Sequence, residues 1–468
     1  MGDGSSTGES TLRRQASDGE KLTPKTAVED LPSPRTSAVL PFQPRVSLDL
    51  DDYFTGPRDL SRHSKWPMFM RMHGSIMPKM VLPLLFVGGW ATAVTVVSKK
   101  VHYLGTNSVL LTITGFVISL GLSFRSSTAY ERYAEGRRYW SVLTQCSQAL
   151  GRVFWIHATD PEGQDPRESM LRKLSCMNLV VAFSLSLKHM LRFEPFTTHS
   201  DMQHLISHLN TFASEATREQ PDKALPPSKS FFKEAGEYLG VSFATSNPRK
   251  AFKKTDRELG NLPLEILNHI AIAIDEMITN GQLDIPMQQT LAYNNLHMMN
   301  DVLTGCERVL NTPLPLAYAI AISQITWVYV LLLPFQLIPL LEWVAIPATV
   351  AASYIILGLL LIGGEIENPF GRDVNDLPLE VFCEQIAHDM DVIASYDKRD
   401  PLGFMKHEDN KPLYPASMAP LGVWAQRDED TVRDAIRNKP KKTFDLRRAF
   451  NLRKSGVPAN HHPGDKMV

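Results

Sequence analysis

Residues 101–124, VHYLGTNSVLLTITGFVISLGLSF, run directly into residues 125–140, RSSTAYERYAEGRRYW. The first stretch carries no charged residue when His102 is neutral, whereas the second is rich in arginine and glutamate. A helix rises about 1.5 Å per residue, so the first stretch is long enough to cross a hydrocarbon core roughly 30 Å thick. The sequence therefore predicts an integral membrane protein in which a spanning helix continues into a long charged helix.

Large apolar side chains recur every four residues in the first stretch, at Phe116, Leu120 and Phe124. Residues at this spacing lie nearly in line on one helix face. If several copies of the helix surround an axis, the three side chains stack as rings and form a narrow hydrophobic neck that gates by dewetting. Ordinary packing or lipid contact explains the same stripe, so both interpretations stay open here.

Two motifs each follow a hydrophobic segment. The first reads F-R-x-x-x-A-Y-E-R-Y-x-E-G-R-x-x-W over residues 124–140, and the second reads EIENPFGRDVNDLP over residues 365–378. Together they resemble the bestrophin family of anion channels, in particular its fungal and bacterial branch, over roughly residues 64–396. The resemblance implies an all-α protomer with four transmembrane helices and a cytosolic helical bundle, assembled as a homopentameric ring around a central pore.

The charge pattern divides the chain into a channel domain, residues 57–396, and two tails. Residues 1–56 are rich in Ser, Thr, Pro and Gly and are predicted to be disordered, and residues 397–468 form a C-terminal tail. Cytosolic helices are expected between residues 125 and 312. One of them, starting from Ile285, shows an apolar seam of Met287, Leu291, Met298, Val302 and Val309. The predicted spans are residues 80–98, 101–124, 314–341 and 343–364.

A further apolar stretch, residues 171–192, is interrupted by Lys173, Lys188 and His189. We interpret it as a helix buried in a cytosolic or interfacial bundle. Basic residues before the first span and after Phe124 outnumber the two lysines between them, which places both flanks and both termini in the cytosol. The sequence does not decide between the plasma membrane and an organelle membrane.

Charged residues after Phe124 have two interpretations, structural and anion-attracting. On a helix, Arg132 lies three positions before Glu135, and Glu135 three before Arg138, so carboxylates and guanidiniums can pair. Alternatively, unpaired cations raise the anion concentration beside the pore, Arg125 above all. The candidate charges are Arg125, Glu131, Arg132, Glu135 and Arg137.

The resemblance also implies a second, cytosolic aperture at Met287, the residue that follows Pro286. In animal members of the family, a denser acidic run at the second motif binds calcium. Here Asp373, Asn375 and Asp376 could present oxygen ligands, but Arg372 and Val374 interrupt the acidic run. We therefore favour a turn and helix cap over a calcium site, and we predict no cofactor.

The sequence gives little support for metal binding, nucleic-acid binding or catalysis. His204 and His208 have a spacing that suits zinc on a helix face, but no third ligand is evident, so no metal site is predicted. The net charge of −1 argues against a nucleic-acid partner. No nucleophile elbow or phosphate loop is present, so an enzyme is not expected.

The sequence thus predicts a homo-oligomeric channel that passes chloride and other small anions passively through a hydrophobic-necked pore. Membrane lipid and the permeating anions are its expected partners. The alternative is a non-conducting membrane scaffold or lipid-handling protein, because the long tails offer interaction surface.

Overall fold

The computed structural model describes residues 74–106, 109–160, 165–194, 197–219, 260–396 and 403–454, together with Met70, Met72 and Gly163. These residues belong to one structural unit and form helices and turns, with no strand among them. The predicted all-α class is therefore confirmed. The predicted disordered tail, residues 1–56, lies outside the described residues.

The helices are numbered here in chain order. They are α1 (Met77–Lys100), α2 (Val109–Arg152), α3 (Pro166–Leu191), α4 (Gln203–Ile206), α5 (Phe212–Glu219), α6 (Leu262–Thr279), α7 (Pro286–Asn311), α8 (Leu316–Leu341), α9 (Ala345–Glu365), α10 (Leu379–Ala394), α11 (Gly403–Lys406), α12 (Leu421–Trp424) and α13 (Glu429–Lys454). A π-helical turn, Val153–His157, extends α2, and a 3₁₀ turn, Glu342–Val344, joins α8 to α9. The segment predicted as a C-terminal tail therefore contains three helices within its described part.

Helix α2 begins later than the sequence predicted. Residues 101–106 form the turn after α1, because the Leu104 amide donates to Ser98 Oγ (3.1 Å) and the Thr106 amide donates to the Phe335 carbonyl (3.0 Å). The apolar part of α2, residues 109–124, is about 24 Å long at 1.5 Å per residue, shorter than the stretch that began at Val101. Beyond Phe124 the helix continues unbroken to Arg152, as predicted.

Three stretches of the described chain are long and apolar enough to cross a membrane: Met77–Lys100, Pro166–Leu191 and Leu316–Glu365, the last containing both α8 and α9. The span predicted at residues 101–124, which overlaps the start of α2, is not among them. The three stretches differ in burial. In α3, 67% of the most apolar part of the helix is buried inside the protomer, whereas the value is 28% for each of the other two stretches. The lysines of α3 are also paired, with Lys173 Nζ 2.7 Å from Asp160. Burial and pairing support the interpretation of α3 as a core helix.

Helices α1, α8 and α9 pack together with the first part of α2. Their shared core is Met80, Val87, Ile118, Leu122, Ile322, Val330, Leu357 and Leu360. At one end of this bundle Lys99 pairs with Glu342 (3.0 Å), which joins the two hairpin turns. At the other end Lys79 pairs with Glu365. The second part of α2 packs on α7 and α10, and α3 packs on α6 and α10, so α2 connects the two helical layers.

Candidate functional site

The three predicted neck residues lie on a face of α2 that points away from the protomer. Phe116, Leu120 and Phe124 are 72%, 48% and 58% exposed. On the packed side, Ile118 and Leu122 are buried in the core of the bundle. These three side chains are therefore available for contacts outside the protomer.

Glycines set the distance between α2 and α8. A Cβ built on Gly115 would lie 2.9 Å from the hydroxyl of Tyr329, and one built on Gly121 would lie 3.8 Å from Ile322. Both contacted residues belong to α8. This close approach fixes the rotation of α2, and so it fixes which residues point outward.

Arg125 is held inside the protomer. Its side chain is 11% exposed and lies 3.8 Å from a carboxylate oxygen of Glu367. Its aliphatic part rests against Gly363, where a built Cβ would be 3.5 Å from Arg125 Cγ. This placement favours the structural interpretation of Arg125 over that of an unpaired cation beside a pore.

Arg132 binds the ends of two helices rather than a neighbouring glutamate. Its Nε donates to the Glu367 carbonyl (3.1 Å), its Nη2 to the Val309 carbonyl (2.6 Å) and its Nη1 to the Thr312 carbonyl. The last carbonyls of a helix have no partner within it. One guanidinium binds such carbonyls at the end of α7 and also the carbonyl of Glu367, two residues beyond the end of α9. The pairing of Arg132 with Glu135 that the sequence predicted is not made.

Glu135 instead forms an ion pair with Arg308 of α7, and the Arg308 guanidinium also donates to the Tyr139 hydroxyl (2.9 Å). The predicted pairing of Glu135 with Arg138 is likewise replaced by this contact between helices. Glu131 and Arg138 are exposed on α2. The charged motif therefore joins α2 to α7 more than it stabilises α2 itself.

The two motifs meet at Gly136. Its side faces Phe370 and Pro369 of the second motif, and Phe370 is fully buried. Arg137 lies over the ring of Phe382 on α10, 4.5 Å from the ring centroid, and Trp140 packs on the same ring at 5.8 Å. The first motif is thus the surface on which the second motif and α10 pack.

Side chains of the second motif contact both their own loop and residues at the start of α1. Asp376 accepts a hydrogen bond from the Asp373 amide (2.7 Å), and Asn375 donates to the Gly74 carbonyl (3.1 Å). The Asp373 carboxylate lies 3.7 Å from Lys79. Burial raises the pKa of Asp376 to about 6. These contacts describe a structural turn that holds the start of α1.

Met287 lies in the first turn of α7, after Pro286, and is 77% exposed. The seam predicted for this helix is only partly correct, because Met287 and Leu291 are exposed. The residues that α7 buries are Ala292, Asn295, Met299, Val302, Leu303, Gly305, Cys306 and Val309.

One cluster was not anticipated from the sequence. His189, Glu194 and His199 bring ligand-type atoms within 4.8 Å of one another. His204 and His208, the pair that the sequence singled out, are exposed. The sequence spacing of His189, Glu194 and His199 is irregular, and their proximity depends on a turn at Phe193, whose φ is 60°.

Comparisons with known proteins agree with this architecture. A family model described as bacterial/fungal bestrophin protein matches residues 58–247 and 242–392. A voltage-dependent anion channel-forming protein of Synechocystis sp. is 27% identical over 324 residues, which cover 69% of this chain and 90% of the relative. One from Nostoc sp. is 32% identical over 283 residues, covering 60% of this chain and 76% of the relative.

Among solved structures, a variant of a bacterial bestrophin homologue from Klebsiella pneumoniae matches with a TM-score of 0.51 and 23% identity, over 68% of this chain and 100% of that chain. The apolar helices and the two joined motifs define an all-helical integral membrane protein. The chain belongs to the bacterial and fungal bestrophin family.

Proposed function

We propose that this protein is a bestrophin-type anion channel that passes chloride and other small anions down their electrochemical gradient. The observation that carries the proposal is the apolar face of α2, where Phe116, Leu120 and Phe124 point away from the protomer core. The names of the Synechocystis and Nostoc relatives, which describe them as anion channel-forming, support the same class of function.

The pore in this proposal forms between protomers. A ring of α2 helices stacks the three apolar side chains as successive narrow rings, where an anion sheds part of its water. Aromatic edges carry partial positive charge, which favours anions at the rings of Phe116 and Phe124. Five protomers are proposed from the family resemblance, with Met287 forming a second, cytosolic aperture.

We infer the orientation in the membrane from the charges at the two ends of the bundle. The end with the hairpin turns carries Lys99 and Lys100, whereas the other end carries Lys79, Arg125 and Arg132 and continues into the α7 and α10 layer. We place the second end in the cytosol, together with both termini, in the plasma membrane or an organelle membrane. No cofactor or catalytic activity is part of the proposal.

Chloride flux from vesicles tests the proposal. Purified native protein should release chloride, and the triple variant Phe116→Ala, Leu120→Ala, Phe124→Ala should release it faster or without gating. Leu85→Ala is the matched control, because Leu85 is an exposed apolar residue of α1, and it should behave like the native protein.

The molecular mass of the purified protein, which gives the number of protomers in the assembly, is a second test of the proposal. A ring of protomers supports the channel, whereas a monomer contradicts it. Absence of chloride flux from well-folded native protein would favour a non-conducting scaffold or lipid-handling protein.

A further inference from the structure

A cluster of two histidines and two carboxylates lies where α3 ends, away from the α2 face. His189 is in the last turn of α3, and Glu194, His199 and Asp201 follow before α4 begins. The positive φ of Phe193 turns the chain back, and the Glu194 amide donates to the His189 carbonyl (2.8 Å). This turn brings Glu194 beside the His189 ring.

The distances within the cluster suit metal ligands. Ligand-type atoms of His189, Glu194 and His199 all lie within 4.8 Å of one another. His189 Nδ1 is 3.0 Å from Glu194 Oε2. The two imidazole rings stack nearly parallel with centroids 4.0 Å apart, so one ring must tilt for both to bind the same ion. Two imidazoles and one carboxylate are a donor set that zinc commonly takes in proteins, with a fourth position left open.

His199 supplies an independent observation. Its Nε2 is buried and has no hydrogen-bond partner within the part of the chain that the structure describes. Buried polar atoms are normally paired. The unpaired ring nitrogen of His199 is therefore a candidate ligand atom.

Asp201 fixes the orientation of the His189 ring by contacting its Nε2. Its carboxylate oxygens lie 3.0 Å and 3.1 Å from His189 Nε2, on the side of the ring opposite Glu194. A metal-ligating histidine typically donates its other N–H to a carboxylate, which fixes the ring and its tautomer. Asp201 is itself paired with Lys188.

The surrounding charges favour a metal that prefers nitrogen. Glu194 uses Oε1 to pair with Arg372, and Asp201 pairs with Lys188, so two cations offset the two carboxylates. Calcium and magnesium depend on oxygen ligands and negative charge, whereas zinc and nickel bind imidazole well. The site should therefore discriminate against calcium.

We propose that His189, Glu194 and His199 bind a transition-metal dication such as Zn²⁺, with Asp201 positioning the His189 ring. The metal takes the place of the proton between His189 Nδ1 and Glu194. Glu194 also pairs with Arg372 of the second motif, so the bound metal joins the end of α3 to the loop that holds the start of α1. The site does not depend on whether the protein conducts ions.

Calorimetric titration of the chelator-treated full chain with Zn²⁺ tests this inference. The protein titrated, called the parent protein, carries His461→Ala and His462→Ala, because these adjacent tail histidines are a separate source of metal ligands. We expect one Zn²⁺ per chain and a rise in the unfolding temperature on binding. His189→Ala and His199→Ala should abolish this binding, and Asp201→Asn should weaken it about 10- to 100-fold.

His204→Ala is the matched control, since His204 is exposed on the neighbouring helix α4 and should leave zinc affinity unchanged. Zinc binding that survives the double variant His189→Ala, His199→Ala would overturn the proposal, as would equal affinity for Ca²⁺. If the variants fail to fold, the visible absorption of Co²⁺ bound to the parent protein tests the site without them. Intense visible absorption indicates a four-coordinate site, and its absence contradicts one.

Discussion

Gly136 of α2 lies against the ring of Phe370, and a Cβ built on Gly136 would come within 3.0 Å of two ring carbons. Because Phe370 is fully buried, its ring has little space to withdraw. The contact joins the first motif to the second, and a side chain at position 136 would press on the Phe370 ring.

Replacing Gly136 with alanine should therefore destabilise the protein. Overpacking of a well-packed site typically costs about 1–3 kcal/mol, and the lower end is expected here because a single methyl group is added. Thermal unfolding of the purified protein measures the effect. Gly422→Ala is the control, since a Cβ there meets nothing within 4 Å. Equal unfolding temperatures for Gly136→Ala and the native protein would show that the two motifs are not packed as described.

Arg132→Lys should also destabilise the protein although it conserves charge. The planar guanidinium reaches carbonyls of Val309, Thr312 and Glu367 at once, whereas a lysine ammonium is a compact point charge on a flexible stem. Losing hydrogen bonds from a charged donor should cost about 2 kcal/mol. Urea or thermal unfolding measures this loss.

Arg433→Lys provides the comparison for Arg132, because Arg433 pairs with Glu429 on the exposed surface of α13. This control should unfold like the native protein. If both lysine variants unfold alike, the binding of helix ends by Arg132 does not contribute as we argue.

Asp376 makes stability depend on pH. Burial raises its pKa from 3.8 to about 6, so the folded protein holds this proton more tightly than the unfolded chain does. Where the folded state binds more protons, stability falls as pH rises. The contribution of Asp376 should therefore decline between about pH 4 and pH 6 and stay low above that range.

Asp376→Asn should remove this decline. Its asparagine oxygen can still accept from the Asp373 amide, so the variant should unfold at a higher temperature than the native protein at about pH 7.5 and at a similar temperature near pH 4. Unfolding midpoints across this range are the measurement. The exposed Asp409 gives the control Asp409→Asn. A stability difference that does not change with pH would contradict the assignment to Asp376.

The sequence predicted those features that depend only on residues close together in the chain. Apolar length and the charge-free stretches predicted an all-helical membrane protein, and the two motifs predicted its family. The predicted start of α2 was wrong because residues 101–106, like the helix that follows, carry no charged residue when His102 is neutral. Their amides bind Ser98 and Phe335, and composition does not record such contacts.

Relations between distant residues were not predictable from spacing. Arg132 and Glu135 have the correct separation to pair within α2. Arg132 instead binds the carbonyls of Val309, Thr312 and Glu367, and Glu135 pairs with Arg308. The His189 cluster likewise depends on how the chain turns after α3. A single sequence shows which side chains can interact, whereas tertiary packing decides which ones do.

The reversal potential in a planar bilayer under a chloride gradient tests the central claim most directly. Native protein should give a current that reverses near the chloride equilibrium potential, and the triple alanine variant of Phe116, Leu120 and Phe124 should carry more current with the same sign of selectivity. A reversal near the cation equilibrium potential would contradict the anion channel. Identical currents from well-folded native and triple-variant protein would contradict the neck on α2.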